Sequence, residues 1–460
     1  MTEQDVWKNN HKLLTNTIDY SEACQISWSR HIKLIWVIGM LVLLPLDILK
    51  MPLNMTLFDC WILMGLPIYW LSFFRRKQIV NLTYMIPMWL ILLGSLASVI
   101  VAAVPIKGLI VILKEVFIFI WFITITAVLS KIHPRDFRYI LVVWSVMVLL
   151  HGVVIIVQFL SQDFFRFTVS LVGEANDYEL YRAAGLFNNA NWAAFFQLLG
   201  FVPIMLVSPS KKVAMILGLL LLLTILATGS MGVTLAFITG LVVAVTAVSL
   251  YGHFDIILKF FIRLAIILSI IGGFLLFFVN QNDHYKKHFE HIVLGRAERS
   301  SEGRFNLWQR GMNVFSDNNV FLWGIGPDNF REIDGRDKQL HNDVFAFAVE
   351  RGLIGTLGLL LFALVAAGRA VYMVLIYNRH HDPGRLIVVV FLAAITAGLV
   401  VSLTHQIFHF RELWVVLAFQ EAILFQIKAS EGDLKPITHT FNDQSRHHRG
   451  FAEQPDVASG

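Results

Sequence analysis

The stretch LTYMIPMWLILLGSLASVIVAAVP, residues 82–105, contains no charged side chain. It is long enough to cross the apolar layer of a bilayer as a helix, which takes about 20 residues. The apolar runs are continuous rather than alternating, so they predict a helical bundle and not a β-barrel. Similar runs predict about twelve spanning segments, near residues 32–49, 55–74, 82–105, 108–130, 137–160, 191–208, 212–228, 231–250, 257–279, 352–377, 386–404 and 411–428.

The composition also indicates a membrane protein. Of the 460 residues, 57% are hydrophobic and 15% are charged, whereas soluble domains carry about 25% charged residues. The first thirty residues are polar and lack the pattern of a cleaved signal peptide. We therefore expect a cytoplasmic tail over residues 1–31, a twelve-helix membrane domain over 32–430, and a disordered cytoplasmic tail over 431–460.

The basic residues of the short loops predict the orientation, because such loops concentrate lysine and arginine on the cytoplasmic side. One side carries Arg75–Lys77, Lys131–Arg138, Lys211–Lys212, Lys259–Arg263 and Arg379–Arg385, and the other offers Lys50, Lys107 and Arg411. Both termini are then cytoplasmic. The two longer loops, residues 161–190 and 280–342, face outward.

The second of these loops ends in a candidate site residue. If residues 341–355 are helical, His341, Phe345, Ala348, Gly352 and Gly355 share one stripe. The small residues would let another helix approach closely, with His341 at the outer end. This histidine is either a general base, since its ordinary pKa is near neutrality, or a polar cap on an interfacial helix.

Arginines in both long loops are candidate anion ligands, because guanidinium groups bind phosphate bidentately. Arg304 precedes Phe305, Trp308, Met312 and Phe315, whose spacing predicts an amphipathic helix lying in the membrane interface. Arg182 begins a segment with three asparagines, Asn188, Asn189 and Asn191, just before an apolar run. Each arginine could equally be a solvated or headgroup-facing side chain.

Three further patterns have two interpretations. His284, His288 and His291 have a spacing that would suit a metal, although Lys286, Lys287 and Glu290 favour a polar interfacial helix. Lys114 and Glu115 lie inside a predicted span, where charges are functional or paired, and Arg411 has the same ambiguity. Arg369 is placed so that it can extend to the cytoplasmic surface.

Taken together, several motifs resemble those of the O-antigen ligase and polymerase family of bacterial inner-membrane glycosyltransferases. The resemblance covers about residues 182–355, and the motifs that carry it are Arg182–Asn191, Thr228-Gly229-Ser230-Met231-Gly232, Ser301–Trp308, Gly324–Phe330 and His341-Asn342 followed by nine residues and Gly352. Met231 stands where relatives often have a basic residue, so we expect no anion contact from that turn.

The resemblance implies a GT-C-like all-helical fold in the bacterial inner membrane. It also implies an inverting, metal-independent and cofactor-independent transfer on the periplasmic side. The donor would be an undecaprenyl-diphosphate-linked glycan, and the acceptor either lipid A-core, for a ligase, or a lipid-linked repeat unit, for a polymerase. Membrane lipids are expected partners and nucleic acid is not. A transporter or flippase for the same lipid-linked sugar is the alternative from another class.

The same resemblance assigns roles to residues. Arg182 and Arg304 would hold the diphosphate, and His341 would activate or orient the acceptor hydroxyl. Positive charge directed at a diphosphate leaving group stabilises the transition state more than the ground state. The candidate substrate-binding residues are Asn342, Arg299, Lys114, Arg411 and Asn188.

Overall fold

A computed structural model describes residues 20–46, 56–76, 82–161, 164, 182–249, 273, 295–317, 320–335, 340–379 and 385–433. The regular elements in this part of the chain are helices. They are α1 (Tyr20–Leu43), α2 (Leu57–Arg76), a 3₁₀ turn (Leu82–Tyr84), α3 (Met85–Ile100), α4 (Pro105–Leu129), α5 (Pro134–Leu160), α6 (Ala190–Leu199), α7 (Phe201–Val207), α8 (Lys211–Ala227), α9 (Met231–Ser249), α10 (Gly295–Asp317), α11 (Val320–Trp323), α12 (Phe330–Asp334), α13 (Asp343–Arg379), α14 (Arg385–Ser402) and α15 (Arg411–Asp433).

The all-helical architecture of a polytopic membrane protein is confirmed in these residues. Eleven of the predicted apolar runs overlap a helix, and the run at 257–279 lies almost wholly outside the described residues. Within the described residues, five helical segments are long and apolar enough to cross a membrane: Pro105–Leu129, Arg135–Leu160, Ala190–Val207, Met231–Ser249 and Asp343–Ile376. α1 begins at Tyr20, inside the segment predicted as the N-terminal tail, because the helix continues from its apolar part into polar residues.

Glycines permit close contacts between helices. A side chain at Gly94 of α3 would lie 2.4 Å from the backbone nitrogen of Gly355 in α13. A side chain at Gly240 of α9 would lie 2.8 Å from the carbonyl oxygen of Ala393 in α14. These pairs let helix backbones approach closely, as small residues do in membrane bundles. The expected packing of a second helix on Gly355 is therefore confirmed.

An aromatic core joins α4, α13, α15 and the connection before α15. The ring of Trp414 lies 4.9–5.5 Å from the rings of Phe119, Phe122, Phe362 and Phe408. Its indole N–H donates to the carbonyl of Phe408 at 2.7 Å. Aromatic groups at such distances contribute beyond the apolar area they bury, so this end of α15 is firmly held.

The two ends of the bundle differ in the connections they carry. At one end Arg30, near the start of the membrane part of α1, pairs with Asp136 at 2.6 Å. Gln426 of α15 donates there to the carbonyls of Leu129 and Ile132, both at 3.4 Å. The other end carries the connections that precede α4, α6, α9, α13 and α15. We call it the loop end.

Candidate functional site

Two polar side chains of α5 fix the loop that precedes α6. Gln158 accepts hydrogen bonds from the backbone N–H groups of Ala184 (3.0 Å) and Gly185 (2.7 Å). The buried ring of His151 accepts from the N–H of Leu186 at 3.0 Å. Gly185 has a positive φ of 62°, and a side chain there would overlap the His151 ring. Buried polar groups are tolerated in an apolar helix when they are hydrogen-bonded, and here these bonds order the loop.

Arg182 begins this loop and joins two of the sequence motifs. It is only 3% exposed. Its Nε–H donates to the carbonyl oxygen of Thr228 at 3.1 Å, and its Nη2 donates to Oδ1 of Asn191 at 2.8 Å. The same amide oxygen accepts from the hydroxyl of Ser230 at 2.9 Å. One acceptor atom therefore ties the arginine to the turn between α8 and α9.

Two of the three asparagines at the start of α6 have a structural role in this arrangement. Asn189 is the N-cap of α6, since its side chain accepts from the N–H of Asn191 at 2.8 Å, which is the usual use of asparagine before a helix. Asn188 is half-buried, and its buried Oδ1 accepts no hydrogen bond from the described residues. An unsatisfied buried acceptor costs about 1–3 kcal/mol. Substrate binding by Asn188 stays a prediction.

The turn between α8 and α9 packs against the connection between α14 and α15. A side chain at Gly232 would lie 2.6 Å from Oγ1 of Thr404 and 3.1 Å from Cε1 of His405. His405 is buried, and its Nδ1 is hydrogen-bonded to Oγ1 of Thr404 at 2.9 Å. The ring centre of His405 is 6.5 Å from that of His341. His405 was not among the residues predicted from the sequence, where its signal is a polar Thr-His pair at the end of an apolar run.

His341 lies outside the helix, so the predicted stripe over residues 341–355 was wrong. Its φ is 51°, and α13 begins at Asp343. The helix starts there because Asn342 caps it: Oδ1 of Asn342 accepts from the N–H of Phe345 at 2.9 Å. Gly352 also breaks the helical path, with φ 63° and ψ −164°. His341 itself is exposed, as a group that meets a ligand must be.

The residues after His341 clamp the connection before α15. Nδ2 of Asn342 donates to the carbonyl of Leu403 at 3.0 Å. The buried carboxylate of Asp343 accepts from the N–H groups of Ile407 (2.9 Å) and Phe408 (3.4 Å). Asn342 thus has two structural hydrogen bonds, and substrate binding by Asn342 stays a prediction. The clamp fixes the position of His405 relative to α13.

The break at Gly352 explains the glycine turn before α12. Carbonyl groups freed by a helix break need other donors. Those of Val349 and Glu350 accept from the N–H groups of Ile325 (3.1 Å) and Gly326 (2.9 Å). A side chain at Gly324 would lie 2.4 Å from the carbonyl oxygen of Glu350. The glycines thus permit a backbone-to-backbone contact.

Asn329 fixes the same turn to the connection before α4. This fully buried side chain accepts from the N–H of Val104 at 2.7 Å and donates to the carbonyl of Pro327 at 3.0 Å. Lys107 also pairs with Glu332 across these segments. The predicted Gly324–Phe330 motif is therefore a structural part of the loop end, close to the start of α4.

A buried ion pair lies below the loop end and was not found from the sequence. Nη2 of Arg351 contacts Oε1 of Glu115 at 2.5 Å, and its Nε donates to Oγ of Ser95 at 3.0 Å. The same Glu115 oxygen lies 3.1 Å from Nε2 of His409. Glu115 is paired, as charged groups within membrane segments commonly are. Lys114, its neighbour, is exposed, and substrate binding by Lys114 stays a prediction.

Two arginines that the sequence placed in predicted spans are paired as well. Arg411 donates to both carboxylate oxygens of Asp59, at 2.8 and 2.5 Å. Arg369 pairs with both oxygens of the buried Glu421. Arg369 therefore contacts a carboxylate within the bundle, where the sequence suggested that it extends to the surface. Substrate binding by Arg411 stays a prediction.

Arg299 and Arg304 both lie within α10, which begins at Gly295, and their side chains are outside the described part. Arg304 is thus inside the helix and not at its start. Two apolar residues of the expected interfacial face, Phe305 and Met312, are exposed. Trp308, however, donates its indole N–H to the carbonyl of Leu340 at 3.0 Å. The helix packs through Leu307, which is buried, and through Phe315 of the predicted face, which lies against the same apolar cluster.

The predicted histidine cluster His284, His288 and His291 lies outside the described residues. What the described residues bring together at the loop end is Arg182, the turn before α9, His405 and His341. This set offers a guanidinium group, hydroxyl and amide groups, and two imidazoles. Such groups can bind a phosphate-bearing ligand and move a proton.

The fold and the site define a polytopic membrane protein with a polar cluster at one end of its helical bundle. Residues 216–360 match the family described as O-antigen ligase. The resemblance predicted from the motifs is confirmed for this segment, which is similar to the O-antigen ligase family. The segment includes the turn before α9 and the His341–Gly352 motif but not Arg182. No curated protein matches the chain. The family implies ligase-type or polymerase-type glycosyl transfer with lipid-linked glycans as substrates.

Proposed function

We propose that the protein transfers a glycan from an undecaprenyl-diphosphate-linked donor to a sugar hydroxyl on the periplasmic face of the bacterial inner membrane. The acceptor we favour is lipid A-core, which makes the protein an O-antigen ligase. The observation that carries the proposal is the contact between Arg182, the turn before α9, His405 and His341. Residues from four separate motifs or connections meet there, within a family domain that implies this chemistry.

In the proposed reaction the acceptor oxygen attacks the anomeric carbon of the donor from the face opposite the diphosphate. The bond between that carbon and the diphosphate oxygen breaks, and undecaprenyl diphosphate leaves with the electron pair. His341 takes the proton from the acceptor hydroxyl. Arg182 and Arg304 stabilise the negative charge that grows on the leaving group. Arg299 and Asn188 are proposed to bind the donor or acceptor nearby, and the reaction is proposed to be metal-independent.

The positions of the helices support the proposed orientation. Arg30 near the start of α1 and Gln426 near the end of α15 contact the same end of α4 and α5. The polar cluster lies at the opposite end. This arrangement fits twelve spans with both termini in the cytoplasm and a periplasmic site, in a GT-C-like bundle.

The test is a reconstituted assay with purified protein in lipid vesicles, a labelled lipid-linked glycan as donor and purified lipid A-core as acceptor. We expect a glycosidic product from the wild type. The variants His341→Ala, Arg182→Ala and Arg304→Ala should each lower the rate by about 10²–10⁴-fold. The matched control is Arg30→Ala, which removes the same charge at the opposite end of the bundle. It should transfer at the wild-type rate.

The same assay distinguishes the alternatives. A repeat-unit polymerase of this family would instead join two lipid-linked glycans when no lipid A-core is present. A transporter or flippase would move the labelled donor across the vesicle membrane and form no bond. Absence of any glycosidic product from the wild type, together with a normal cellular function of His341→Ala, would exclude the enzyme.

A further inference from the structure

His405 stands between the Arg182 cluster and His341. The turn that Arg182 holds approaches His405 through Gly232, where a side chain would lie 3.1 Å from the imidazole carbon Cε1. The ring of His405 lies beside that of His341, with ring centres 6.5 Å apart and ring planes 71° apart. His405 is 5% exposed, whereas His341 is exposed. A buried imidazole therefore lies next to an exposed one, on the side away from solvent.

The position of the His405 ring is set by its neighbours. Oγ1 of Thr404 lies 2.9 Å from Nδ1 of His405 and donates its own proton to the carbonyl of Val401 at 3.1 Å. The oxygen can then accept from an Nδ1–H group, which leaves Nε2 as the acceptor nitrogen of the neutral ring. The backbone on both sides is held by Asn342 and Asp343. The ring is thus fixed in place before any substrate arrives.

We propose that His405 is a positioning residue for the proposed transfer, acting on the imidazole of His341. When His341 takes the proton of the acceptor hydroxyl, it becomes an imidazolium whose second N–H is a strong hydrogen-bond donor. Nε2 of His405 accepts that hydrogen bond, in the way a second group orients a catalytic histidine. No proton leaves His341 in this contact; the bond holds the charged ring in the orientation that received the proton.

The distance is compatible with this role. A direct N–H···N bond of about 3 Å requires the two rings to turn a nitrogen toward each other and to approach by at least about 1 Å. His341 can make this movement because it lies before α13, outside the helical backbone, and its side chain is exposed. His405, by contrast, is buried, and hydrogen bonds hold the backbone on both sides of it. Its ring therefore keeps its position while His341 moves. This inference rests on the proposed function of His341.

The experiment compares two replacements of His405 in the reconstituted transfer assay. His405→Phe keeps a ring of similar shape but removes both nitrogens. His405→Gln gives up the ring but keeps a polar group at the distance of Nε2. A hydrogen bond to a charged group is worth about 10–100-fold in rate. We expect His405→Phe to lower kcat by about this factor with the donor KM within about twofold, and His405→Gln to retain more activity than His405→Phe.

Thr404→Val is the second variant, since it keeps the shape of the threonine and removes the oxygen that fixes Nδ1. It should lower kcat in the same direction as His405→Phe, without raising the donor KM. A His405→Phe variant with the wild-type kcat would overturn the inference, as would a His405→Gln variant that is less active than His405→Phe. If the wild type itself forms no glycosidic product, the proposed function fails and not this inference alone. Elution as a monodisperse species and an unchanged melting temperature establish that each variant is folded.

Discussion

Replacing Arg351 by methionine would leave the carboxylate of Glu115 buried without its guanidinium partner. Breaking a buried pair in this way costs about 3–5 kcal/mol. Arg351 also stacks over the ring of Phe347, with its Cζ 3.9 Å from the ring centre, which adds about 1–2 kcal/mol. His409 remains beside Glu115 and offsets part of the loss. We therefore expect the variant to be destabilised by about 3–5 kcal/mol.

The natural comparison is Arg369→Met, which breaks the second buried pair in the same helix. Arg369 lies roughly 27 Å further along α13, away from the loop end, and its side chain is more exposed than that of Arg351. Its loss should cost about 2–4 kcal/mol and leave transfer by the folded protein unchanged. Arg351→Met, in contrast, should also slow transfer by the folded protein, because it loosens the start of α13. We expect the rate to fall about tenfold, which is roughly the effect of losing one hydrogen bond to a charged group.

Both effects can be measured on the detergent-solubilised protein, with denaturant unfolding for stability and the reconstituted assay for transfer. The double variant Glu115→Leu with Arg351→Met removes both charges. Its loss in the free energy of unfolding should be smaller than the sum of the losses in the two single variants, by about 2 kcal/mol or more. Strictly additive losses would show that the two residues do not interact, and the reasoning would be refuted.

Three further predictions concern the loop end. Asn191→Leu removes the acceptor shared by Arg182 and Ser230 and should cost about 2–4 kcal/mol, measured as a lower unfolding midpoint; an unchanged midpoint would contradict it. Gly232→Val forces a side chain against Thr404 and should cost about 1–3 kcal/mol and slow transfer, whereas full activity would show that the close contact is unimportant. Gln158→Leu should speed hydrogen–deuterium exchange in the loop before α6, because two backbone N–H groups lose their acceptor.

The helices were predictable because the length of an apolar run is enough to indicate a membrane-spanning helix. A run such as residues 137–160 can satisfy its backbone in a bilayer only as a helix, and α5 occupies that run. The position of His341 was not predictable in the same way. A helical spacing of side chains does not exclude a cap or a break within it, so the prediction took Asn342 and Gly352 as parts of one helix, although asparagine is common at helix starts and glycine at breaks.

The candidate site was only partly predictable for a similar reason. The motif beginning at Arg182 and the turn before α9 were both recognised, but their contact depends on tertiary structure. The side-chain oxygen of Asn191 joins Arg182 to the turn before α9, but the sequence indicated Asn191 only as part of a polar segment. His405 and the partner of Glu115 were not predicted because the role of each depends on a contact with a residue far away in the chain. Arg351 is separated from Glu115 by 236 positions.

The central claim is that the polar cluster at the loop end breaks the bond between a glycan and its diphosphate carrier and joins the glycan to a hydroxyl. The most direct measurement follows one turnover of the reconstituted protein and counts both products. We expect one undecaprenyl diphosphate released for each new glycosidic bond in the wild type, and neither product with His341→Ala. Release without bond formation, or bond formation at the wild-type rate by His341→Ala, would contradict the claim.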